Sequence, residues 1–399
     1  MNSVAEALQK VLDNELPVRT ETVPLIDSLS RILAEDIKAD RDAPPFHRVT
    51  MDGIAIHSSQ LLKKALFPIE GIQAAGDAQS KLLDSENCLE VMTGAILPEN
   101  TNCVIPYEQV KIIDNVANLL HSDFTENQNV HLKGTDAGKG DVLLKKGTFI
   151  QAGTIGVIAT VGVSNVKVVK PPTITICSTG NELVDITESP LPHQIRKSNV
   201  YMLQAALKSH GIDAQTIHID DDKKLLKAAL EKLLHKNDIL LFSGAVSKGK
   251  YDFLPEVLED LGVKKLIHGV AQKPGKPFLF GRRKNTFIFG FPGNPASTLI
   301  CFHLYFKAWL LTHLGKQRNS FFATLTEDVS FKRPVTYHLL VKVVAEKEKI
   351  LAVPVSNSGS GDLVHLAAAD GFISLPAHLD TFQKGTSYPL TFLTQPWFN

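Results

Sequence analysis

The stretch Thr173-Ile174-Thr175-Ile176-Cys177 is followed directly by Ser178-Thr179-Gly180-Asn181-Glu182, and this junction is the strongest indication of the fold. A short apolar run that ends in hydroxyl, glycine and carboxylate residues is typical of a buried strand whose following loop binds a ligand. On its C-terminal side, strand and helix patterns alternate up to about residue 316. The alternation predicts an α/β domain over residues 171–316, with a mostly parallel sheet covered by helices on both faces.

The remaining elements of this domain follow from the spacing of apolar residues. Three further strands are expected at residues 214–219, 239–242 and 287–289. Apolar side chains three or four positions apart predict helices over residues 200–207, 226–234, 253–261 and 296–314.

The N-terminal region has a different pattern. Ser3 and Glu6 form a capping box ahead of an amphipathic helix, and a second helix is expected after Pro24. We assign residues 1–43 to an N-terminal helical region, completed by the glycine-containing segment 145–170.

Two further domains are expected to be made of β-strands. Residues 44–144 contain many glycines and short β-branched runs, which indicate a small, mainly β domain. Residues 320–399 lose the helical period and predict a small C-terminal β-barrel or β-sandwich, of which we assign the barrel. The fold class is therefore α/β plus β, in a chain of several domains, as a length of 399 residues also suggests.

The overall composition excludes several classes of protein. Lysine and arginine total 42, as do aspartate and glutamate, so the formal net charge is zero and we expect neither a nucleic-acid nor a membrane partner. The first residues lack a basic stretch followed by an apolar one, and no segment reaches the ~18 apolar residues of a membrane-spanning helix. Four cysteines without a Cys-x-x-Cys pair indicate reduced thiols, and together these features predict a cytoplasmic protein.

Residues suited to anion binding follow successive strands of the predicted α/β domain. Because the carboxyl ends of parallel strands lie along one edge of a sheet, we expect these loops to meet there. Each loop alone is more often an ordinary turn, but chance turns would be distributed over both edges. The residues concerned are Ser178, Thr179, Gly180, Ser243, Gly244, Ser247, Lys248, Lys273, Lys276, Pro292 and Pro295.

Three carboxylates accompany these loops. Glu182, Asp221 and Asp252 supply hard oxygen donors of the kind that Mg²⁺ prefers when it bridges to a phosphate. An aspartate before a helix is more often only a cap. The histidines lack metal-ligand spacing, so a zinc site is not predicted.

Two short motifs stand out in the expected β domain. Asp52 precedes Gly53 inside an apolar context, and Thr93 lies within Met92-Thr93-Gly94-Ala95. Both would ordinarily be read as turns, since Asp-Gly is a frequent hairpin turn.

Taken in order, the motifs resemble those of the molybdopterin molybdotransferases, the MoeA/gephyrin E-domain family. The resemblance extends from the first helix into the C-terminal region and rests on several ordered motifs. They are Pro44-Pro45-Phe46 with Met51-Asp52-Gly53-Ile54-Ala55, Met92-Thr93-Gly94-Ala95, Ser178 to Leu183, Ser243-Gly244-Ala245-Val246-Ser247, Lys273-Pro274-Gly275-Lys276-Pro277, Pro292-Gly293-Asn294-Pro295, and Ser358-Gly359-Ser360-Gly361-Asp362 up to Phe372.

The resemblance implies an enzyme of molybdenum cofactor biosynthesis that acts as a homodimer. Its substrates would be molybdate and molybdopterin adenylate, and it would insert molybdenum and release AMP with the help of Mg²⁺. The adenylate would lie between the α/β domain of one subunit and the β domain of the other. Candidate partners beyond the second subunit are the molybdopterin adenylyltransferase and apo-molybdoenzymes.

The family's site residues transfer to this chain motif by motif. Asp52 and Thr93 would be catalytic residues contributed by the partner subunit, acting with Glu182 and Asp252. Asp221 would bind the metal together with Glu182 and Asp252. Lysines 273 and 276 would form a basic wall, Pro292 and Pro295 would shape a loop, and the other strand-end residues would contact the substrate.

The chain departs from the family pattern at three positions. Ala245 replaces a usual glycine, Lys248 replaces a small or apolar residue, and Gly269 replaces a frequent lysine or arginine. Lys248 would then restore the cation missing at position 269, or the changes mark altered substrate handling.

Three other functions compete with this interpretation. A molybdopterin adenylyltransferase shares the α/β domain but lacks the flanking domains. A non-catalytic scaffold would need appended linkers and tails, for which the motifs leave little room. A nucleotide-hydrolysing relative would have no reason to retain Asp52 and Thr93. The motif series favours the molybdotransferase.

Overall fold

The computed structural model describes residues 1–244, 246, 252–315, 320–346, 349–356 and 358–393. The chain divides into two compact units. The first comprises Met1–Thr22, Ser30–Ile32 and Lys167–Asn399, and the second comprises Val23–Leu29 and Leu33–Val166. No helix in the described part of the chain is both long and apolar enough to cross a bilayer.

A six-stranded sheet lies at the centre of the first unit. Four strands run parallel, and the last two pair antiparallel. In spatial order they are Ala214–Ile219, Ile174–Thr179, Ile239–Ser243, Thr286–Phe291, Leu279–Arg283 and Lys264–His268. Ser178 stands opposite both His218 and Ser243, so the carboxyl ends of neighbouring strands are level. The predicted mostly parallel sheet is confirmed, whereas its last two strands, which are joined by antiparallel pairing, were not anticipated.

Helices cover both faces of this sheet, as predicted. On one face, Asn199–Lys208, Pro295–Cys301, Ala308–His313 and the N-terminal Val4–Leu12 enclose an aromatic-rich core. On the other face, Lys223–Lys236 and Leu254–Asp260 pack through leucines and valines. The long helix expected over residues 296–314 is present, but its middle turn, Phe302–Lys307, is a π-helix.

A closed five-stranded β-barrel forms the C-terminal part of the first unit, which confirms the predicted barrel. Its strands are Phe321–Leu325, Thr336–Glu346, Lys349–Pro354, Gly371–Leu375 and Ser387–Phe392. Thr336–Glu346 pairs with both Lys349–Pro354 and Gly371–Leu375, which closes the ring. The short strands Val329–Ser330 and Thr381–Phe382 pair beside it, and the helix Leu363–Ala367 precedes the fourth barrel strand.

The second unit is mainly β, as predicted for residues 44–144. Its six-stranded sheet has the order Cys103–Pro106, Gly53–Ile56, Cys88–Val91, Leu66–Gln73, Val116–Leu119 and Val110–Ile113. Shorter strands pair Ile37–Lys38 with Val142–Leu144 and Arg48–Val49 with Val130–His131, and the helix Ala152–Thr160 follows.

Glycine at position 53 is required for a structural reason other than a turn. It is a strand residue paired with Val91 and Pro106, not a hairpin turn. A Cβ atom at Gly53 would lie 2.0 Å from the carbonyl oxygen of Ile105. Glycine is therefore required by the close approach of two backbones.

The prediction of a second helix after Pro24 is wrong. The strands Arg19–Pro24 and Asn165–Lys170 are present, but only a single 3₁₀ turn, Ile26–Ser28, follows the first of them. The hydroxyl of Ser28 donates to the carbonyl of Leu25, and Ser30 has φ of 65°, in the left-handed region. A left-handed residue cannot continue a right-handed helix.

Candidate active site

The ends of the parallel strands open into a cavity of about 940 Å³, here called the strand-end cavity. The predicted convergence of loops is therefore present in the described structure. Ten of the expected site residues line it, namely Ser178, Thr179, Gly180, Glu182, Asp221, Ser243, Gly244, Asp252, Pro292 and Pro295. Ser247, Lys248 and Ala245 lie outside the described residues.

The three predicted carboxylates share this cavity. Burial raises the pKa of Asp221 above its ordinary value, the backbone N–H of Asn181 opposes that shift, and the charges of Glu182 and Asp252 add to it. Asn181 and Asp221 hold each other, since the Asn181 side chain accepts from the Asp221 N–H at 3.0 Å. A bound cation would relieve the repulsion that Asp221 experiences from the charges of Glu182 and Asp252.

A closed metal cage is absent from the described residues, where no three His, Cys, Asp or Glu side chains are grouped closely enough to hold an ion. This arrangement suits Mg²⁺ all the same, because Mg²⁺ usually takes one or two carboxylates and completes its shell with water and substrate phosphates. One or two of the carboxylates of Glu182, Asp221 and Asp252, completed by water and substrate, would supply oxygen donors of that kind.

The hydroxyls at the strand ends are held by neighbouring side chains. The Ser178 hydroxyl lies 2.9 Å from Nδ1 of His218, and the Ser243 hydroxyl accepts from Nδ2 of Asn199 at 2.8 Å. The same Nδ2 donates to the carbonyl of Gly293 at 2.6 Å. Asn199 thus ties two strand-end loops together and fixes the floor of the cavity.

The two predicted lysines line a different, adjoining cavity. Lys273 and Lys276 face a space of about 780 Å³, here called the lysine cavity, which lies between the α/β domain and the barrel. Arg333 from the barrel lines it too. Pro277, Pro292 and Asn294 border both cavities. The predicted basic wall therefore lines a cavity that shares part of its border with the strand-end cavity.

The lysines are positioned by the barrel. Gln272–Lys273 forms a short strand that pairs in parallel with the barrel strand Thr336–Glu346, and Lys273 stands opposite Tyr337. The Lys273 ammonium lies 5.5 Å from the ring centroid of Phe331, which stacks on Tyr337. A cation over an aromatic face is held electrostatically while its hydrogens remain available to a ligand.

The loop from Pro292 to Pro295 is fixed at both ends. Thr298 donates from its hydroxyl to the carbonyl of Pro292 at 2.6 Å. Asn294 donates from Nδ2 to the hydroxyl of Ser360 at 2.7 Å, and the N–H of Ala296 donates to the Ser360 carbonyl. The common wall is therefore anchored to both the α/β domain and the barrel.

Asp52 and Thr93 meet within the second unit. The backbone N–H and the hydroxyl of Thr93 both donate to Oδ1 of Asp52, each at 2.6 Å. These two bonds lower the pKa of Asp52 below its ordinary value, and the side chain is exposed. The pair is thus a fixed, ionised carboxylate at the surface of its unit.

Several residues that line the two cavities were not predicted from the sequence. Arg196, Lys197 and Asn199 line the strand-end cavity, and Arg333 and His338 line the lysine cavity. Arg196-Lys197-Ser198-Asn199 immediately precedes and enters a helix, a pattern that marks an anion-binding N-terminus and could have been recognised. Nothing in the sequence near Arg333 or His338 indicates that the barrel reaches this site.

Gly269 has a conformational role that bears on its departure from the family pattern. Its φ is +96°, in the left-handed region, where a lysine would be strained by about 1–2 kcal/mol. Backbone geometry therefore accounts for glycine at this position, and the compensation by Lys248 stays a prediction.

Three family models match the chain in sequence order. The MoeA N-terminal region (domains I and II) matches residues 2–162, a probable molybdopterin binding domain matches residues 175–312, and the MoeA C-terminal region (domain IV) matches residues 323–393. Two structures of the molybdopterin biosynthesis MoeA protein from Pyrococcus horikoshii match with a TM-score of 0.83 each, at 31% and 27% identity. They cover 99% and 98% of this chain, which covers 99% and 100% of theirs.

Curated relatives match over nearly their whole length. The molybdopterin molybdenumtransferase of Synechocystis sp. is 42% identical over 396 residues, which is 98% of this chain and 99% of that protein. The enzyme of the same name from Staphylococcus epidermidis is 31% identical over 394 residues, covering 96% of this chain and 93% of that protein. The chain belongs to the molybdopterin molybdenumtransferase (MoeA) family.

Proposed function

We propose that this protein, a transferase of molybdenum cofactor biosynthesis, inserts molybdenum from molybdate into adenylated molybdopterin and releases AMP. The observation that carries the proposal is the pair of adjoining cavities with different charges. One contains the acids Glu182, Asp221 and Asp252, and the other contains Lys273, Lys276 and Arg333. A reaction between a metal-assisted phosphate ester and a free oxyanion needs two such environments side by side.

The adenylate phosphates belong in the strand-end cavity. Its acids alone would repel a phosphate, but Arg196 and Lys197 line the same space and attract one. One or two of the carboxylates of Glu182, Asp221 and Asp252 would hold Mg²⁺, which when bound would supply positive charge to the phosphates. The basic pair would stabilise the charge that develops on the departing AMP.

Molybdate belongs in the lysine cavity. Three cationic side chains and no acidic one are found among the described residues that line it. Lys273 and Lys276 are exposed to the space, so their ammonium groups can donate directly to oxyanion oxygens. The common wall of Pro277, Pro292 and Asn294 brings the two ligands next to each other.

The active form is proposed to be a cytoplasmic homodimer. Asp52 and Thr93 of one subunit would complete the strand-end cavity of the other. The ionised, rigidly held carboxylate of Asp52 suits a role beside a reacting group, because Thr93 fixes both its charge and its direction. The molybdopterin adenylyltransferase and apo-molybdoenzymes are the proposed sources and acceptors of the cofactor.

The direct test is to incubate the purified protein with molybdopterin adenylate and Mg²⁺, and to follow AMP by chromatography. AMP release that requires molybdate, with molybdenum appearing in the pterin product, is the expected result. AMP release at the same rate without molybdate would make the protein a simple hydrolase of the adenylate. Absence of both products, with protein that binds the adenylate, would also contradict the proposal.

A further inference from the structure

A buried polar network borders the lysine cavity, and Gln272 is its centre. Gln272 is 2% exposed, and its side chain makes four hydrogen bonds. Oε1 accepts from the Tyr305 hydroxyl at 2.6 Å and lies 3.3 Å from Nε2 of His338. Nε2 of Gln272 donates to the carbonyl of Gly275 at 2.9 Å and to Sγ of Cys301 at 3.3 Å.

The donors and acceptors of this network have a single consistent assignment. Oε1 of Gln272 can only accept, so Nε2 of His338 must carry the proton. Nδ1 of His338 then accepts from the hydroxyl of Ser374 at 3.0 Å. Burial lowers the pKa of His338 to about 3, so the ring is neutral and keeps this tautomer at neutral pH. Every polar atom of the Gln272 side chain is therefore satisfied, which makes the network rigid.

The network holds the lysine-bearing loop at two points. The backbone of Gln272 pairs with the barrel strand opposite Thr336, and its side chain reaches back to the carbonyl of Gly275. Gly275 has φ of +93°, and a Cβ atom there would lie 2.7 Å from Nε2 of Gln272. The tight turn at Gly275 therefore packs against the side-chain amide of Gln272, which holds it. Lys273 and Lys276 lie on either side of Gly275 in the sequence.

We propose that Gln272 is a positioning residue that sets the affinity of the lysine cavity for its oxyanion. The inference rests on the proposed binding of molybdate in that cavity. Gln272 does not touch the ligand in this account. It fixes the separation of the two ammonium groups by holding the Gly275 carbonyl, so that both can contact one tetrahedral anion without an ordering cost on binding.

The test compares two substitutions within the same buried network. Gln272→Met keeps the volume but removes the bond to Gly275, whereas the control, Tyr305→Phe, removes a donor to Gln272 and leaves that bond intact. Binding is measured by calorimetry in two separate titrations. Molybdate alone reports on the lysine cavity, and AMP with Mg²⁺ reports on the strand-end cavity. We expect Gln272→Met to weaken molybdate binding about tenfold. Tyr305→Phe should change it less than about twofold, and AMP binding should be unchanged in both.

Enzyme kinetics and a second variant distinguish positioning from folding. The KM for molybdate should rise in Gln272→Met while kcat stays near that of the wild type, which a general loss of stability would not produce. If Gln272→Met fails to fold, Gln272→Asn supplies the same measurement, since its shorter amide cannot reach both Gly275 and Tyr305. The same rise in KM is expected.

Lys276→Ala separates this inference from the proposed function. If Lys276→Ala weakens molybdate binding and Gln272→Met does not, the positioning role is overturned and the proposed function stands. The positioning role would also be overturned if Tyr305→Phe weakened molybdate binding as much as Gln272→Met does. The effect could not then be attributed to the bond between Gln272 and Gly275. If Lys276→Ala leaves molybdate binding unchanged, the assignment of molybdate to this cavity fails, and the inference fails with it.

Discussion

Thr93 donates two hydrogen bonds to a single oxygen of Asp52, one from its backbone N–H and one from its hydroxyl. Charge-assisted bonds of this kind stabilise the ionised carboxylate and fix its orientation. The second oxygen of Asp52 makes neither of these bonds. A carboxylate held by one oxygen is oriented but still able to act through the other, which is a reason to place it in chemistry rather than in folding alone.

Replacing Asp52 with alanine should abolish turnover without unfolding the protein. The side chain is exposed, so its loss leaves no buried group unpaired. We expect cofactor formation to fall by at least about 100-fold, the size of loss typical when a group that acts beside the reacting atoms is removed. Circular dichroism and thermal unfolding should match those of the wild type.

Asp123→Ala is the matched control, because Asp123 is an exposed carboxylate of the same unit. It should retain wild-type turnover. Insoluble Asp52→Ala protein would reduce Asp52 to a structural residue, and full activity would remove it from the site.

Mixed dimers test whether two subunits share one site. Asp52→Ala and Asp252→Ala should each be inactive alone. When the two are mixed and allowed to exchange, one of the two sites in each hybrid contains both intact acids and should recover part of the activity. Native mass spectrometry establishes that hybrids form. Hybrids that form and remain inactive would contradict a shared site.

Because His338 is buried, the stability of the folded protein should depend on pH in a direction that can be stated in advance. Its pKa is about 3 in the folded protein and 6.5 in an exposed chain. Below pH 6.5 the unfolded state binds a proton that the folded state does not, so stability falls as the pH falls towards 3. The contribution of one such proton is about 1.4 kcal/mol per pH unit.

His338→Gln removes this proton while keeping a polar side chain. The variant should be less stable than the wild type at pH 7, because bonds to Ser374 and Gln272 are lost or weakened. The difference in the free energy of unfolding between the wild type and His338→Gln should become smaller as the pH falls from 6 to about 4. Urea unfolding at several pH values measures it. Parallel curves for the two proteins would mean that His338 is not held neutral.

The strand-end site could be predicted because it follows from local patterns and one rule. Parallel strands place their carboxyl ends together, and the register of Ser178 opposite Ser243 is the result. The acids that follow these strands then share a cavity by necessity. Asn199, which links Ser243 to Gly293, escaped prediction because its partners are 44 and 94 residues away.

The division into two cavities could not be predicted, because it depends on long-range pairing. Gln272 meets Thr336 across a distance in sequence that no local pattern spans. That pairing brings Arg333 and His338 beside the lysines and separates the lysines from the acids. The last two strands, Lys264–His268 and Leu279–Arg283, were missed because each contains only two consecutive large apolar residues beside basic ones.

Whether the two cavities hold different ligands can be measured by calorimetric titration of a pair of variants. Lys276→Ala should weaken molybdate binding about tenfold and leave binding of AMP with Mg²⁺ unchanged. Glu182→Gln should weaken binding of AMP with Mg²⁺ by a similar factor and leave molybdate binding unchanged. If a variant of either residue weakens binding of both ligands equally, or of only the ligand assigned to the other cavity, the two cavities do not bind molybdate and the adenylate separately.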